Sequence, residues 1–221
     1  DLTHEKDMIN ITDKSACCGC NACVQKCPKH CITMSEDSEG FLYPHVELES
    51  CSNCGLCEIV CPVINQEEKR EPSHCYAAIN PDISVRKESS SGGIFSMLAE
   101  SVIEDGGVVF GAHWNKSWQV EHTYVETKEE LSVFRGSKYI QSIIGDSYKQ
   151  AELFLKQGRK VLFSGTPCQI AGLYRFLRKD YDNLLTIDFI CHGVPSPGVF
   201  RWYLQEEVNT YAKDVLKENS F

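Results

Sequence analysis

Two cysteine runs of identical spacing constrain this 221-residue chain more than any other feature. The first is Cys17-Cys18-Gly19-Cys20-Asn21-Ala22-Cys23-Val24-Gln25-Lys26-Cys27-Pro28. The second is Cys51-Ser52-Asn53-Cys54-Gly55-Leu56-Cys57-Glu58-Ile59-Val60-Cys61-Pro62, and both read C-x2-C-x2-C-x3-C-P. Ten of the thirteen cysteines lie between Cys17 and Cys61. Such density suits disulfides in a small secreted protein, but the start, Asp1-Leu2-Thr3-His4-Glu5-Lys6-Asp7, lacks the apolar stretch of an export signal. In a reducing cytoplasm, thiols at this spacing point to metal.

The third cysteine of each run and the proline that closes it select the metal. Zinc needs two pairs of ligands and has no use for a third thiol. In the bacterial ferredoxin pattern three closely spaced thiolates wrap three irons of a [4Fe-4S] cube, and the fourth cysteine ligates the other cube. The spacing therefore predicts Cys17, Cys20, Cys23 and Cys61 on one cluster and Cys51, Cys54, Cys57 and Cys27 on a second. Gly19, Ala22 and Gly55 are small enough to let backbone N–H groups approach the sulfurs. Cys18 and Cys31 fall outside the spacing and read as bystander thiols or alternative ligands. Between the runs, Ile32-Thr33-Met34 and Phe41-Leu42-Tyr43-Pro44 flank a turn-like Asp37-Ser38-Glu39-Gly40 and predict a hairpin. The polar stretch 66–73 contains Pro72 and reads as a linker, so residues 1–68 are expected to form a ferredoxin-like module with two [4Fe-4S] clusters and residues 74–221 a second domain.

Charge excludes other classes. The net charge is −9, and residues 1–70 hold twelve acidic against six basic side chains, which disfavours a phosphate-gripping nucleic-acid binder. No apolar run approaches the roughly 20 residues of a membrane span, so a cytoplasmic protein is expected. The chain opens without Met and ends in a helix-like segment, as a piece of a longer protein would.

From His74 onward apolar runs alternate with helical patterns. Strands are expected at Cys75–Ile79, Val108–Phe110, Val120–Val125, Lys160–Phe163 and Leu184–Ile190, with helices over 93–104 and about 146–157 and after each of the last two strands. This is the alternation of α/β layers on a parallel or mixed sheet. Three helix starts are rich in small residues: Ser89-Ser90-Ser91-Gly92-Gly93, Gly165-Thr166-Pro167-Cys168-Gln169 and Cys191-His192-Gly193-Val194-Pro195-Ser196-Pro197. If they converge beyond the carboxyl ends of the strands, their free N–H groups suit a pyrophosphate-bearing cofactor; otherwise they are ordinary capped helices. No G-x-G-x-x-G or P-loop is present. Lys138 is read either as facing a cofactor phosphate or reduced flavin, or as a solvated surface charge. Cys168 and Cys191 are read as redox thiols or small buried hydrophobes, and His192 as a proton donor or a loop anchor. His74, His113 and His122 show no ligand spacing.

With these residues in order, the chain resembles the family of coenzyme F420 hydrogenase/dehydrogenase beta subunits, whose relatives include 7-hydroxymethyl chlorophyll a reductases. The resemblance rests on the two-cluster module together with Ser90-Ser91-Gly92-Gly93, Gly136-Ser137-Lys138-Tyr139-Ile140-Gln141-Ser142, Gly165-Thr166-Pro167-Cys168-Gln169 and Cys191–Pro197. It implies an α+β or α/β fold in which the ferredoxin-like module precedes a mixed α/β flavin-binding domain. It further implies an anaerobe's iron–sulfur flavoprotein carrying FAD. Ser90, Ser91, Gly92, Gly93, Gly136, Ser137, Lys138, Tyr139, Thr166, Pro167, Cys168 and Gln169 would line the flavin, with Cys191, His192 and Gly193 nearby. Lys138, Cys168 and His192 are the candidates for catalytic roles.

The expected activity is an oxidoreductase passing electrons among a ferredoxin or partner redox subunit, the clusters, FAD and a small hydride donor or acceptor such as coenzyme F420. Neither nucleic acid nor a membrane span is expected, and a homo-oligomer is compatible. The alternatives are an electron-relay subunit without substrate chemistry and a zinc-stabilised interaction protein.

Overall fold

The computed structural model describes residues 8–11, 13–66 and 71–218. Part of the expected linker, residues 67–70, lies outside the described residues.

A short 3-10 turn, Lys14–Ala16, leads into α1 (Ala22–Lys26). Next come β1 (Ile32–Glu36) and β2 (Leu42–Val46), then α2 (Leu56–Ile59). The expected hairpin forms: β1 and β2 pair antiparallel with Ile32 opposite Val46 and Met34 opposite Pro44. Asp37 closes its turn by accepting the amides of Glu39 and Phe41, both at 3.0 Å.

The rest of the chain builds one mixed sheet between helices. Its elements are α3 (Ile83–Lys87), α4 (Ile94–Glu104), β3 (Val108–Trp114), β4 (Val120–Val125), a 3-10 segment Glu129–Phe134, α5 (Ser147–Lys156), β5 (Val161–Gly165), α6 (Pro167–Leu177), β6 (Leu184–Asp188) and α7 (Pro197–Glu218). Strand order is β4-β3-β5-β6; β4 is antiparallel to β3, while β3, β5 and β6 run parallel. Alternate residues of the parallel strands face opposite layers, as the period of two requires. Val108, Phe110, Val161 and Phe163 pack under α5 and α6 with Tyr148, Leu155 and Leu173. Val109 and Leu162 face the other way, onto Ala99, Val102, Leu131 and Phe134.

Cys75–Ile79 does not form the strand expected there. This segment pairs with no strand, and Tyr76 and Ile79 are exposed. Its apolar letters are β-like, but Asn80 anchors its end to the α4 entry instead. The Asn80 amide donates to Gly92 O at 2.7 Å and its side chain to Gly93 O at 3.1 Å. That geometry places the segment along a turn rather than beside an open strand edge.

Among the described residues no helix is long and apolar enough to cross a membrane. Replacing Phe163 with Ala should cost about 3–5 kcal/mol, because Phe163 is fully buried and stacks on Phe110 and His122. An anaerobic thermal melt no lower than that of the exposed-site variant Leu153→Ala would contradict this packing.

Candidate iron–sulfur centre and sheet-edge site

The hairpin and α1 and α2 sort the cysteines into two recesses. Cys17, Cys20, Cys23 and Cys61 line one, which encloses about 330 Å³ counting its open side. Cys27, Cys51, Cys54 and Cys57 line the other, of about 300 Å³. Each recess thus takes three cysteines from one run and one from the other, the crossing that the spacing expected. The exchange is possible because α1 carries Cys23 toward the first recess and ends at Cys27, on the second. In mirror fashion, α2 carries Cys57 and leads to Cys61.

Left-handed backbone makes these turns. Gly19 has φ 63°, and a Cβ there would lie 2.5 Å from Gln141 Nε2. Gly55, with φ 68°, begins α2 in the same conformation.

Amide groups and burial set the thiols' electrostatics. The Ile9 amide donates to Cys57 Sγ at 3.1 Å. Burial raises the Cys27 thiol, but the amides of Cys31, Lys29 and His30 and the Cys31 side chain outweigh it and hold Cys27 below its usual value. Cys23 is pushed up to about 12 by burial and then by Cys17 and Cys61. Five of the eight cysteines are buried, and clustered thiolates that repel one another are the donor set that cationic iron discharges, so the residues fit an iron–sulfur group. Among the described residues no three His, Cys, Asp or Glu side chains converge on one ion-sized point; the thiols surround recesses instead.

The two unassigned thiols also line the recesses, Cys31 the second and Cys18 the first. Cys31 is buried with its Sγ 3.4 Å from Cys27 Sγ, and burial with Cys27 and Cys51 pushes it up to about 11. Cys18 lines the first recess and hydrogen-bonds Cys168.

The first recess is pressed against the α/β layers. Gly172, on α6, allows this: a Cβ there would lie 2.9 Å from Cys20 Cβ and Tyr148 Oη and 3.0 Å from Cys20 Sγ. From α1, Gln25 Oε1 accepts the Tyr148 and Lys149 amides, both at 3.1 Å, and so caps the first turn of α5. Lys26 Nζ donates to Phe176 O at 2.9 Å, placing a cation at the C-terminal end of α6. Asn21 Nδ2 reaches Gly145 O at 2.7 Å.

The sheet-edge residues divide into groups. Thr166 begins α6 with a reciprocal cap, its amide donating to Gln169 Oε1 at 3.0 Å. Pro167, the first residue of α6, is exposed. Gln169 Nε2 reaches Ser142 O at 3.3 Å, and Tyr148 Oη donates to Gln169 O at 2.8 Å. Cys168 lies 3.1 Å from Thr166 Oγ1. The adjoining Cys18 and burial raise the Cys168 thiol, so its place at a helix start does not activate it.

A separate contact joins the other two turns, where the Ser137 amide donates to Ser90 Oγ at 2.8 Å. Ser90, Ser91, Gly136 and Tyr139 are exposed, Gly92 is half-buried and Gly93 is buried. Lys138 Nζ donates to the carbonyls of Phe134, Arg135 and Gly136 at 3.0–3.1 Å. Its cation thereby holds the end of the 3-10 segment. Cys191, His192 and Gly193 are exposed, with the Gly193 amide 3.4 Å from Cys191 Sγ.

His122 is a site residue that spacing passed over. It sits on β4 with Nδ1 2.7 Å from Ser142 Oγ and Nε2 2.9 Å from Ser164 O. It thereby ties the segment before α5 to the end of β5. No motif marks it, because its partners lie 20 and 42 residues away.

The family models place these features. A 4Fe-4S dicluster domain matches residues 16–65, the N-terminal model of the coenzyme F420 hydrogenase/dehydrogenase beta subunit matches 75–146, and its C-terminal model matches 158–220. The chain is 22% identical over 195 residues to a component of the F(420)H(2) dehydrogenase of Methanosarcina mazei, covering 83% of this chain and 55% of that protein. It is 26% identical over 204 residues to an uncharacterized protein of Methanocaldococcus jannaschii, covering 79% and 56%. A chain of the F420-reducing [NiFe] hydrogenase complex from Methanosarcina barkeri matches 51% of this chain and 42% of its own length at 25% identity and a TM-score of 0.42. The chain spans about half the length of the two curated relatives.

Two outcomes test the geometry. Gly172→Ala should cost the first recess its cluster before the second, read as iron falling from about eight per chain toward four; full retention would refute the contact with Cys20. Burial drives the His122 pKa down to about 4, so below its unfolded value of about 6.5 the unfolded chain binds the extra proton and stability falls with pH. By pH 5 this amounts to about 2 kcal/mol, and His122→Gln should flatten the acid limb of an anaerobic stability-versus-pH series.

Two adjoining cysteine recesses matched by a 4Fe-4S dicluster model, followed along the chain by both halves of one family's beta-subunit model, identify it: the chain belongs to the family of coenzyme F420 hydrogenase/dehydrogenase beta subunits.

Proposed function

We propose that this chain is the electron-transfer portion of an iron–sulfur flavoprotein oxidoreductase. Residues 1–68 hold two [4Fe-4S] clusters and residues 74–221 contribute to an FAD site that serves a hydride-exchanging substrate such as coenzyme F420. The placement of the eight run cysteines, four in each of two recesses that Cys18 and Cys31 also line, carries the reading. Cys17, Cys20, Cys23 and Cys61 would hold the first cluster, and Cys27, Cys51, Cys54 and Cys57 the second.

When bound, the clusters supply one-electron transfer and the flavin both one- and two-electron chemistry. The residues of this chain do the positioning. Amides around Cys27 and at Cys57 stabilise sulfur charge, and Gly172 lets the first recess approach the end of β5, where Thr166 to Gln169 and Cys18 meet. The first turn of α4 suits a flavin phosphate because Gly93 leaves it without a side-chain cap. Arg135 Nε stands 3.5 Å from Ser96 Oγ in that same turn and Arg135 pairs with Glu88. Ser90 to Gly93, Gly136 to Tyr139 and Cys191 to Gly193 complete the proposed pocket, with a partner redox subunit or ferredoxin supplying or taking electrons.

A second reading, a relay subunit without substrate chemistry, is favoured by two observations. The Lys138 ammonium already serves three carbonyls, and Cys191, His192 and Gly193 face solvent. Anaerobic purification with iron, sulfide and flavin assays decides between them. About eight irons with about one FAD per chain supports the flavoenzyme, and about eight irons with no FAD after reconstitution supports the relay. Iron without acid-labile sulfide, or zinc in its place, would refute both.

A further inference from the structure

The two recesses are not equally placed for exchange with another protein. The first lies under α6, with Gly172 against Cys20. The second opens where Ser52, Asn53 and Cys54 are exposed. An electron crosses between proteins where a redox centre comes near the surface, which makes the second recess the outward one.

Its surroundings have a distinct chemistry. Leu48 is 52% and Ile59 46% exposed, one just before the Cys51 loop and one beside Cys57. In the chain Glu47 and Glu49 flank Leu48, and Glu58 precedes Ile59. Residues 31–66 contain six carboxylates and neither Lys nor Arg. Glu36 is neutralised by Arg201, but among the described residues Glu47, Glu49 and Glu58 enter no ion pair. Lys29, after Pro28, is the one cation on the neighbouring turn. Exposed apolar side chains, each next to unpaired carboxylates in the chain, suit a transient redox interface, in which like charge steers encounter and apolar groups make contact.

Glu47 and Leu48 are hydrogen-bonded through the backbone to Cys31 and Cys51, which line the second recess, and Glu58 and Ile59 follow its Cys57; we infer that this surface beside the recess, Cys54 with Leu48, Ile59, Glu47, Glu49 and Glu58, is the docking face for a redox protein whose own face is apolar at its centre and basic at its edge. The inference rests on the reading that this recess holds a cluster. Each encounter moves one electron: the reduced protein loses one, the partner gains one, and no bond or proton is exchanged.

The test uses the cluster-loaded chain, reduced with dithionite, freed of excess reductant, and mixed anaerobically with ferric cytochrome c, a basic protein whose haem iron goes from ferric to ferrous. Glu47→Gln/Glu49→Gln/Glu58→Gln should slow the reaction about fivefold at low salt, with the difference vanishing at high salt. An equal charge change on the far side, Glu100→Gln/Glu104→Gln/Glu129→Gln, should leave the rate within about twofold. Leu48→Ala/Ile59→Ala should slow it at every salt concentration. An equal loss in both charge triples, or no loss in the first, overturns the docking face. Iron and sulfide are measured on each protein first. A parent chain short of about eight irons overturns the underlying cluster reading instead. If Glu58→Gln costs iron, Glu47→Gln/Glu49→Gln, outside both cysteine runs, makes the same comparison.

Discussion

The five residues of α1 bear on the whole structure. Ala22 is fully buried in the same apolar core as Phe110, Phe163 and Leu173, so the cysteine module and the sheet share one interior. Gln25 caps the start of α5, and Lys26 satisfies a carbonyl at the end of α6. The helix termini gain partners that their own sequences do not supply: Asp146 makes no side-chain cap to α5. Because Cys23 and Cys27 flank the same helix, whatever holds α1 against α5 and α6 also holds both recesses in place. Displacing α1 would expose apolar surface and leave helix-end groups without partners.

From that clamp follows the asymmetry between the recesses. The one that includes Cys20 meets α6 at Gly172, where a larger residue would collide with the thiol itself. The other opens toward Cys54 and an acidic surface. Two sites of the same sequence pattern thus acquire different neighbours, and neighbours set cluster potential and access. Here the packing of one helix supplies that difference.

Several parts of this arrangement were legible in the residue order because they depend on local geometry. The four-cysteine spacing sets how three thiols can surround one recess, and the crossing of the fourth follows from the shortness of α1 and α2. The hairpin and the Thr166 cap with Pro167 behind it are likewise local. Other expectations rested on features whose meaning depends on distant contacts. Cys75–Ile79 has the letters of a strand but no neighbour to pair with, since Asn80 ties its end to Gly92 and Gly93. Cys168 stands at a helix start, yet Cys18, far off in sequence, raises its thiol. Lys138 looks free in the sequence and instead closes a 3-10 segment with three hydrogen bonds.

By itself, then, the sequence determined the paired four-cysteine spacing, the β–α alternation, and the acidity of the module, since spacing, period and charge are properties of neighbouring letters. Only the tertiary structure decided which recess meets the sheet and which meets solvent. It also decided that His122 joins Ser142 to Ser164, and that α1 supplies the ends of α5 and α6. Those outcomes depend on contacts between residues 20 to 150 positions apart, and such contacts exist only once burial of the apolar layers has brought the segments together.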